Sequence, residues 1–428
     1  MSVAFEVQGL GITELAEEFG TPLYLYDGEE ITTRFQGLRE ALHPALEVFY
    51  SLKANPNISV CALLHSLGSR AEVSSLTELV TARRAGVEPR DIIFLGPGKS
   101  RGEVAACLDE DIHAIVCESI GELDLIDEVA RERGITARVA LRVNPRFSVK
   151  GSGLTMGGKP RQFGTDEELL LAEGKDLAGR YPNIRLMGVQ VYLGTRILIE
   201  ESVVENTRRI LELAERLSTE LGFPLETVDV GGGLGIAYFD NEKDLDVAEL
   251  TAGLNPLIAD FRARHPETRM IMELGRFLVA ASGTYVTRVR YTKTSMGENF
   301  AVTDGGTNHH MAAVGIGSYV KRNFPMAALE RLDEPATEPW HITGPLCTPN
   351  DVIGKKVPMP ALRAGELIGV QRSGAYGPTA SPVHFLSHGY PAEVLVLDGR
   401  AHLIRERDDV EAMLGRQRLY AAPGDDQN

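Results

Sequence analysis

No two of the four cysteines, Cys61, Cys107, Cys117 and Cys347, are spaced as a CxxC pair. That argues against a disulfide frame and against a zinc site, so the thiols read as reduced groups of a cytoplasmic protein. No run of residues is long and apolar enough to span a bilayer. The opening Met1-Ser2-Val3-Ala4-Phe5-Glu6 lacks the basic and apolar regions of a secretory leader. An excess of positive charge is missing too: 44 Lys and Arg stand against 60 Asp and Glu, a formal net charge of -16. Such a balance argues against nonspecific nucleic-acid binding and against anionic membrane surfaces. Low-complexity segments are absent, and only 421–428 reads as a frayed tail.

What is present suffices for two cores. The chain has 428 residues and is 43% hydrophobic, with 24% charged residues. Apolar runs near 48–52, 71–74, 92–95, 114–117, 138–143, 186–193, 227–230 and 270–273 read as strands. Several are continuously apolar, as buried parallel strands are. Helical spacing lies between them, as at 58–67, 76–85, 120–133 and 203–221. Eight such units predict a TIM (β/α)8 barrel over 31–280, an α/β fold. Beyond it the pattern changes to β segments at 283–291, 300–303, 366–372 and 392–397, divided by Gly and Pro. These predict a C-terminal β-sandwich or β-barrel domain over 281–420, which segment 1–30 is expected to join.

Polar residues gather at the strand ends, where barrels of this kind place their active sites. Lys53 leaves the first strand in Phe49-Tyr50-Ser51-Leu52-Lys53-Ala54-Asn55-Pro56. A lysine after a strand is usually solvated; one desolvated at a strand end can lose its proton and form a Schiff base. Gly231-Gly232-Gly233-Leu234-Gly235 follows the seventh strand. Alone it could be an ordinary tight turn, and its late position argues against a dinucleotide fold; it can also bring backbone amides to a phosphate. Glu273-Leu274-Gly275-Arg276 ends the eighth strand. Glu273 and Arg276 could be a surface pair; as chemistry they suit a ring nitrogen and a phosphate. Together the three segments describe a pyridoxal phosphate site. Cys347 sits in a Gly- and Pro-bounded loop, and Tyr376 in Gly374-Ala375-Tyr376-Gly377 has a hydroxyl able to reach phosphate. Asn308-His309-His310 and the pair His384 and His388 lack a carboxylate or thiol at ligand spacing, so no metal is expected.

The motifs YSLKAN, EVSSLTEL, LRVNP, DVGGGLG, ELGR, GPLC and SGAYG together resemble the fold-type III pyridoxal phosphate decarboxylases of diaminopimelate, ornithine and arginine. The likeness runs from Tyr24 to about Leu397. It implies the two-domain architecture shared with alanine racemase and a homodimer with shared active sites. By position, Lys53 resembles the cofactor lysine and Glu273 the pyridine-nitrogen carboxylate. Thr195, Gly232, Gly233, Gly275, Arg276 and Tyr376 resemble phosphate-side residues. Glu72 and Arg142 match residues behind the cofactor. Cys347 matches the cysteine that enters from the partner subunit and protonates the α-carbon.

Two departures bear on substrate. Where the family stacks a histidine on the ring, this chain has Tyr192 in Val191-Tyr192-Leu193-Gly194-Thr195-Arg196. Where the amino-acid decarboxylases carry an acid after the cysteine, it has Thr348. A distal ammonium left unpaired there would cost roughly 1–3 kcal/mol or more. Segments 156–164, 344–349 and 381–386 resemble the branch acting on a glutamyl group carried by an acyl carrier protein in butirosin biosynthesis. That implies an acidic aminoacyl substrate, with Arg196, Thr348 and Phe385 near it. Arg161 with Lys321 and Arg322 would supply a basic docking patch for the carrier. The alternative is a free amino acid; a racemase or an inactive regulator fits the motifs less well.

Overall fold

The computed structural model describes residues 3–148, 154–314 and 322–420; the expected tail 421–428 and Lys321 lie outside them. The chain divides into two compact units. One comprises Asp27–Gly283 and Arg372–Ala375, the other Met1–Tyr26, Thr284–Gln371 and Tyr376–Asn428.

The first unit is the expected barrel. Its strands are β1 (Leu46–Ser51), β2 (Arg70–Val73), β3 (Ile92–Phe94), β4 (Ala114–Cys117), β5 (Ala137–Asn144), β6 (Ile184–Gln190), β7 (Thr227–Gly232) and β8 (Arg269–Leu274). All neighbours are parallel, and β8 pairs with β1 to close the ring. Several helices between the strands start where the sequence supplies a side-chain acceptor. Asn57, Ser75, Ser100 and Ser119 each cap the helix that follows by accepting a backbone N–H.

Successive side chains alternate faces along a strand. The inward face is apolar at mid-strand, where Phe49, Ile93, Ala114, Val116, Ala140, Met187 and Ile271 pack together. Two residues further on, that face turns polar: Ser51 after Phe49, Glu118 after Val116, Arg142 after Ala140 and Glu273 after Ile271, all buried. The strand parity that fills the barrel therefore also lines its C-terminal mouth with polar groups.

The strand expected over 186–193 ends at Gln190. Val191–Leu193 is apolar, but after Val191, whose N still donates to Asp229 O, the chain leaves the barrel ladder. Leu193 O accepts from Met156 N, and Gly194–Thr195 pairs antiparallel with Leu154–Thr155. The helix expected from 203 starts three residues earlier, at Glu200.

The second unit is β-rich. Leu23–Asp27 lies between Gly283–Ser295 and Ala392–Leu397 in its nine-stranded sheet. Leu23, Leu25, Val286, Leu367, Val394 and Val396 share its core. Glu338–Thr343, Val352–Met359 and Arg400–Arg405 are strands the sequence pattern did not announce. Pro339, Pro358 and Gly354 interrupt the alternation in two of them, and the third is mostly half-exposed or exposed. His309 and His310 are buried, which lowers their imidazoles to about 4 and about 3.

Candidate active site

β1 ends at Ser51, and a single 3-10 turn, Leu52–Ala54, lifts Lys53 off the sheet. The Lys53 side chain is 39% exposed. Its Nζ donates to Glu72 Oε2 at 2.6 Å and stands 5.9 Å from the centre of the Tyr192 ring. Glu72, on the adjacent β2, is buried, and Ser74 Oγ donates to its other oxygen at 2.9 Å. Burial pushes the Glu72 carboxyl up. The Lys53 charge and hydrogen bonds from Lys53, Ser51 and Ser74 outweigh that and hold it below its ordinary value. Glu78, which accepts from Ser74 N at 2.7 Å, is pushed up to about 7 by burial and then by the Glu72 charge.

Three buried residues face inward from β6, β7 and β8: Gln190, Asp229 and Glu273. Gln190 Nε2 donates to Glu273 Oε1 at 2.8 Å. Gly231 N donates to Asp229 Oδ1 at 2.8 Å. Gln190 Oε1, Asp229 Oδ2 and Glu273 Oε2 are buried without a protein donor. Burial, then the Glu72 charge, raises Glu273 above the usual carboxylate range.

The glycine run keeps its backbone against its neighbours. A Cβ on Gly232 would lie 1.6 Å from Glu273 O, and one on Gly233, where φ is +87°, 2.1 Å from Gly194 O. Ile197 N donates to Gly233 O at 2.9 Å, holding the Thr195 segment beside the run. Gly275 precedes the short helix Arg276–Val279. Arg276 Nη1 donates to the Tyr238 hydroxyl at 2.9 Å. Tyr238 N donates to Glu242 Oε2 at 2.9 Å, and Arg196 Nη2 reaches both Glu242 oxygens at 2.9 and 3.1 Å. The Arg196 guanidinium also lies over the Tyr238 and Phe239 rings, 5.2 and 5.4 Å from their centres.

Arg142 is set apart from this group. Its Nη1 donates to Glu118 Oε1 at 2.7 Å, and its guanidinium covers Phe163. Glu118 Oε2 accepts from Gly164 N at 2.9 Å, so the pair anchors segment 154–166 to the barrel.

The remaining expected residues belong to the β-rich unit. Cys347 is exposed in a turn tied by Asp351, whose oxygens accept from Leu346 N and Thr307 N, each at 2.7 Å. Thr348 N donates to Leu346 O at 2.8 Å. Tyr376 has a φ of +55°, and Phe385 is exposed. Sequence reasoning assigned nothing to Gln190, Asp229, Tyr238 or Glu242. The available signal was a lone polar residue inside an apolar strand, as in Thr227-Val228-Asp229-Val230.

Pyridoxal phosphate suits what the barrel mouth leaves open. Glu273 Oε2 wants a donor, which a protonated ring nitrogen is. Gly232 and Gly233 keep side chains away from backbone amides that can meet a phosphate. Lys53 offers an amine at a strand end beside a carboxylate. These features define a barrel enzyme of the pyridoxal phosphate class.

Residues 28–280 match the family described as pyridoxal-dependent decarboxylase, pyridoxal binding domain. The L-glutamyl-(BtrI acyl-carrier protein) decarboxylase of Niallia circulans is 40% identical over 410 residues, covering 95% of this chain and 96% of that one. The diaminopimelate decarboxylase of Aquifex aeolicus is 32% identical over 406 residues, covering 95% and 93%. The structure of Helicobacter pylori diaminopimelate decarboxylase complexed with L-lysine superposes with a TM-score of 0.84 at 29% identity, covering 94% and 98%. The chain belongs to the pyridoxal-dependent decarboxylases and is an enzyme of that kind.

Proposed function

We propose that this decarboxylase removes the α-carboxylate of an acidic, glutamyl-like aminoacyl group carried on an acyl carrier protein. The observation that carries this reading is the turn at Cys347. A substrate with a distal ammonium needs a carboxylate there, and Thr348 follows the cysteine instead. The nearby acid, Asp351, is buried and already holds Leu346 N and Thr307 N. The likeness to the Niallia circulans enzyme supports the same substrate class. Arg161 and Arg322 are exposed and suit an acidic carrier.

Bound pyridoxal phosphate supplies an electron sink for the bond to departing CO2. Lys53 would offer the amine that anchors the cofactor, with Glu72 accepting a hydrogen bond from that amine. Glu273 would accept a hydrogen bond from the ring nitrogen and keep it protonated. Gly232, Gly233, Gly275, Thr195 and Arg276 would hold the phosphate, and Tyr192 would lie against the ring. Cys347, supplied by a second copy of the chain in a homodimer, returns a proton to the α-carbon. Arg196 is neutralised by Glu242, so it shapes the phosphate side and leaves the substrate carboxylate to other groups.

The test is mass spectrometry of a glutamyl-loaded carrier protein incubated with enzyme and cofactor, beside a panel of free amino acids. Loss of CO2 from the carrier species alone is expected. Loss from a free amino acid alone would overturn the carrier reading.

A further inference from the structure

We infer that Asp229 keeps a proton, and that this neutral carboxyl positions Glu273 by donating to it. The inference rests on the reading of Glu273 as the acceptor for the ring nitrogen.

The argument is one of counting donors. Asp229 pairs with Ile271 across β7 and β8, two residues before Glu273, so the two buried carboxyls are neighbours on one inward face. Asp229 Oδ1 and Glu273 Oε1 already have donors in Gly231 N and Gln190 Nε2. The other two oxygens, Asp229 Oδ2 and Glu273 Oε2, are buried without one. Two ionised carboxylates cannot hydrogen-bond, because each is acceptor only. One proton shared between them satisfies both atoms.

Its home is Asp229. Burial, then the charge of Glu273, raises Asp229 well above the carboxylate range. Glu273 is raised too, by burial and then by the Glu72 charge, against which the Lys53 charge and Gln190 favour its ionised form. The remaining charged groups nearby, Lys53 and Glu72, neutralise each other at 2.6 Å. Topology makes them neighbours: Gln190 pairs with Asp229 across β6 and β7, and a bulge after Asp229 lets Gly232 pair with Glu273. Glu273 is then gripped by two neutral donors and keeps one negative charge. Its Oε2 has a second lone pair for the ring nitrogen.

Asp229→Asn keeps a neutral donor of the same shape; Asp229→Leu removes it. Infrared difference spectra between wild-type and Asp229→Asn holoenzymes at neutral pH should show the carbonyl stretch of a protonated carboxyl, shifted by D2O, in wild type only. Cofactor affinity, read from visible absorbance, should stay within about threefold for Asn and weaken by about tenfold or more for Leu. Absence of the infrared band, or equal weakening by both substitutions, would overturn the inference. Glu273→Gln separates the two readings. Unaltered cofactor absorbance there would overturn the role of Glu273 and its positioning, while the infrared band still decides where the proton is.

Discussion

Lys53 and Lys99 each follow a barrel strand, and each meets a glutamate. Lys99 Nζ donates to Glu122 Oε1 at 2.7 Å, to Val116 O at 2.7 Å and to Gly96 O at 2.8 Å. Those three acceptors match the three protons of an ammonium, and the side chain is 1% exposed. Lys53 donates to Glu72 from a side chain that is 39% exposed. The same residue type is a structural plug beyond β3 and a reachable amine beyond β1. Exposure of the side chain, more than the presence of a carboxylate partner, separates the two lysines.

The largest test of that contrast is loss of each amine. Lys53→Ala should lower turnover by at least about 10³-fold while the barrel stays folded, as steady-state rates and thermal melting would report. Substantial remaining turnover would break the comparison at its functional end. Lys99→Met should act on stability instead. It leaves Glu122 buried without its cation, a loss of about 3–5 kcal/mol by urea unfolding, with normal cofactor absorbance. A Lys99→Met enzyme as stable as wild type would break the other end.

A smaller effect sharpens the same comparison through pH. Glu72 is held below its ordinary value, so its contribution to stability is present above the carboxylate range and is lost as pH falls through the lowered value. Lys53→Met removes the cation, leaving burial, the largest influence, to raise Glu72 against the hydrogen bonds from Ser51 and Ser74. Its contribution then reverses, present at low pH and lost as pH rises. Urea midpoints of the cofactor-free proteins between about pH 4 and 7 should therefore move in opposite directions. Parallel profiles would mean that Lys53 does not control Glu72.

The barrel was legible because strands buried on both faces read as apolar runs, several of them continuous, and eight such segments alternate with helical spacing. Strand ends were less so, since hydrogen bonding sets them: apolar Val191–Leu193 continues β6 in the sequence, yet Leu193 O accepts from Met156 N, outside the barrel ladder. The lysine, the glycine run and the Glu-Leu-Gly-Arg segment were legible through their residue types. Asp229 and Gln190 carried a quieter signal, polar residues inside apolar strands, whose meaning needs the neighbours that only closure of the ring supplies. Lys99 was silent, because nothing in Gly96-Pro97-Gly98-Lys99-Ser100 tells that Val116 and Glu122 converge on its amine.

The placement of Leu23–Asp27 bears on the birth of the molecule. Both sheet neighbours of this strand are encoded far downstream, and Ala392–Leu397 begins roughly 370 residues later. At about 5–20 residues per second, a ribosome needs roughly 20 to 70 s to cover that distance. The nascent barrel can close in the meantime, while Leu23, Tyr24, Leu25 and Tyr26 have no finished sheet to enter. An apolar stretch of the emerging chain is thus among the first made and the last housed, a window in which a chaperone has something to hold.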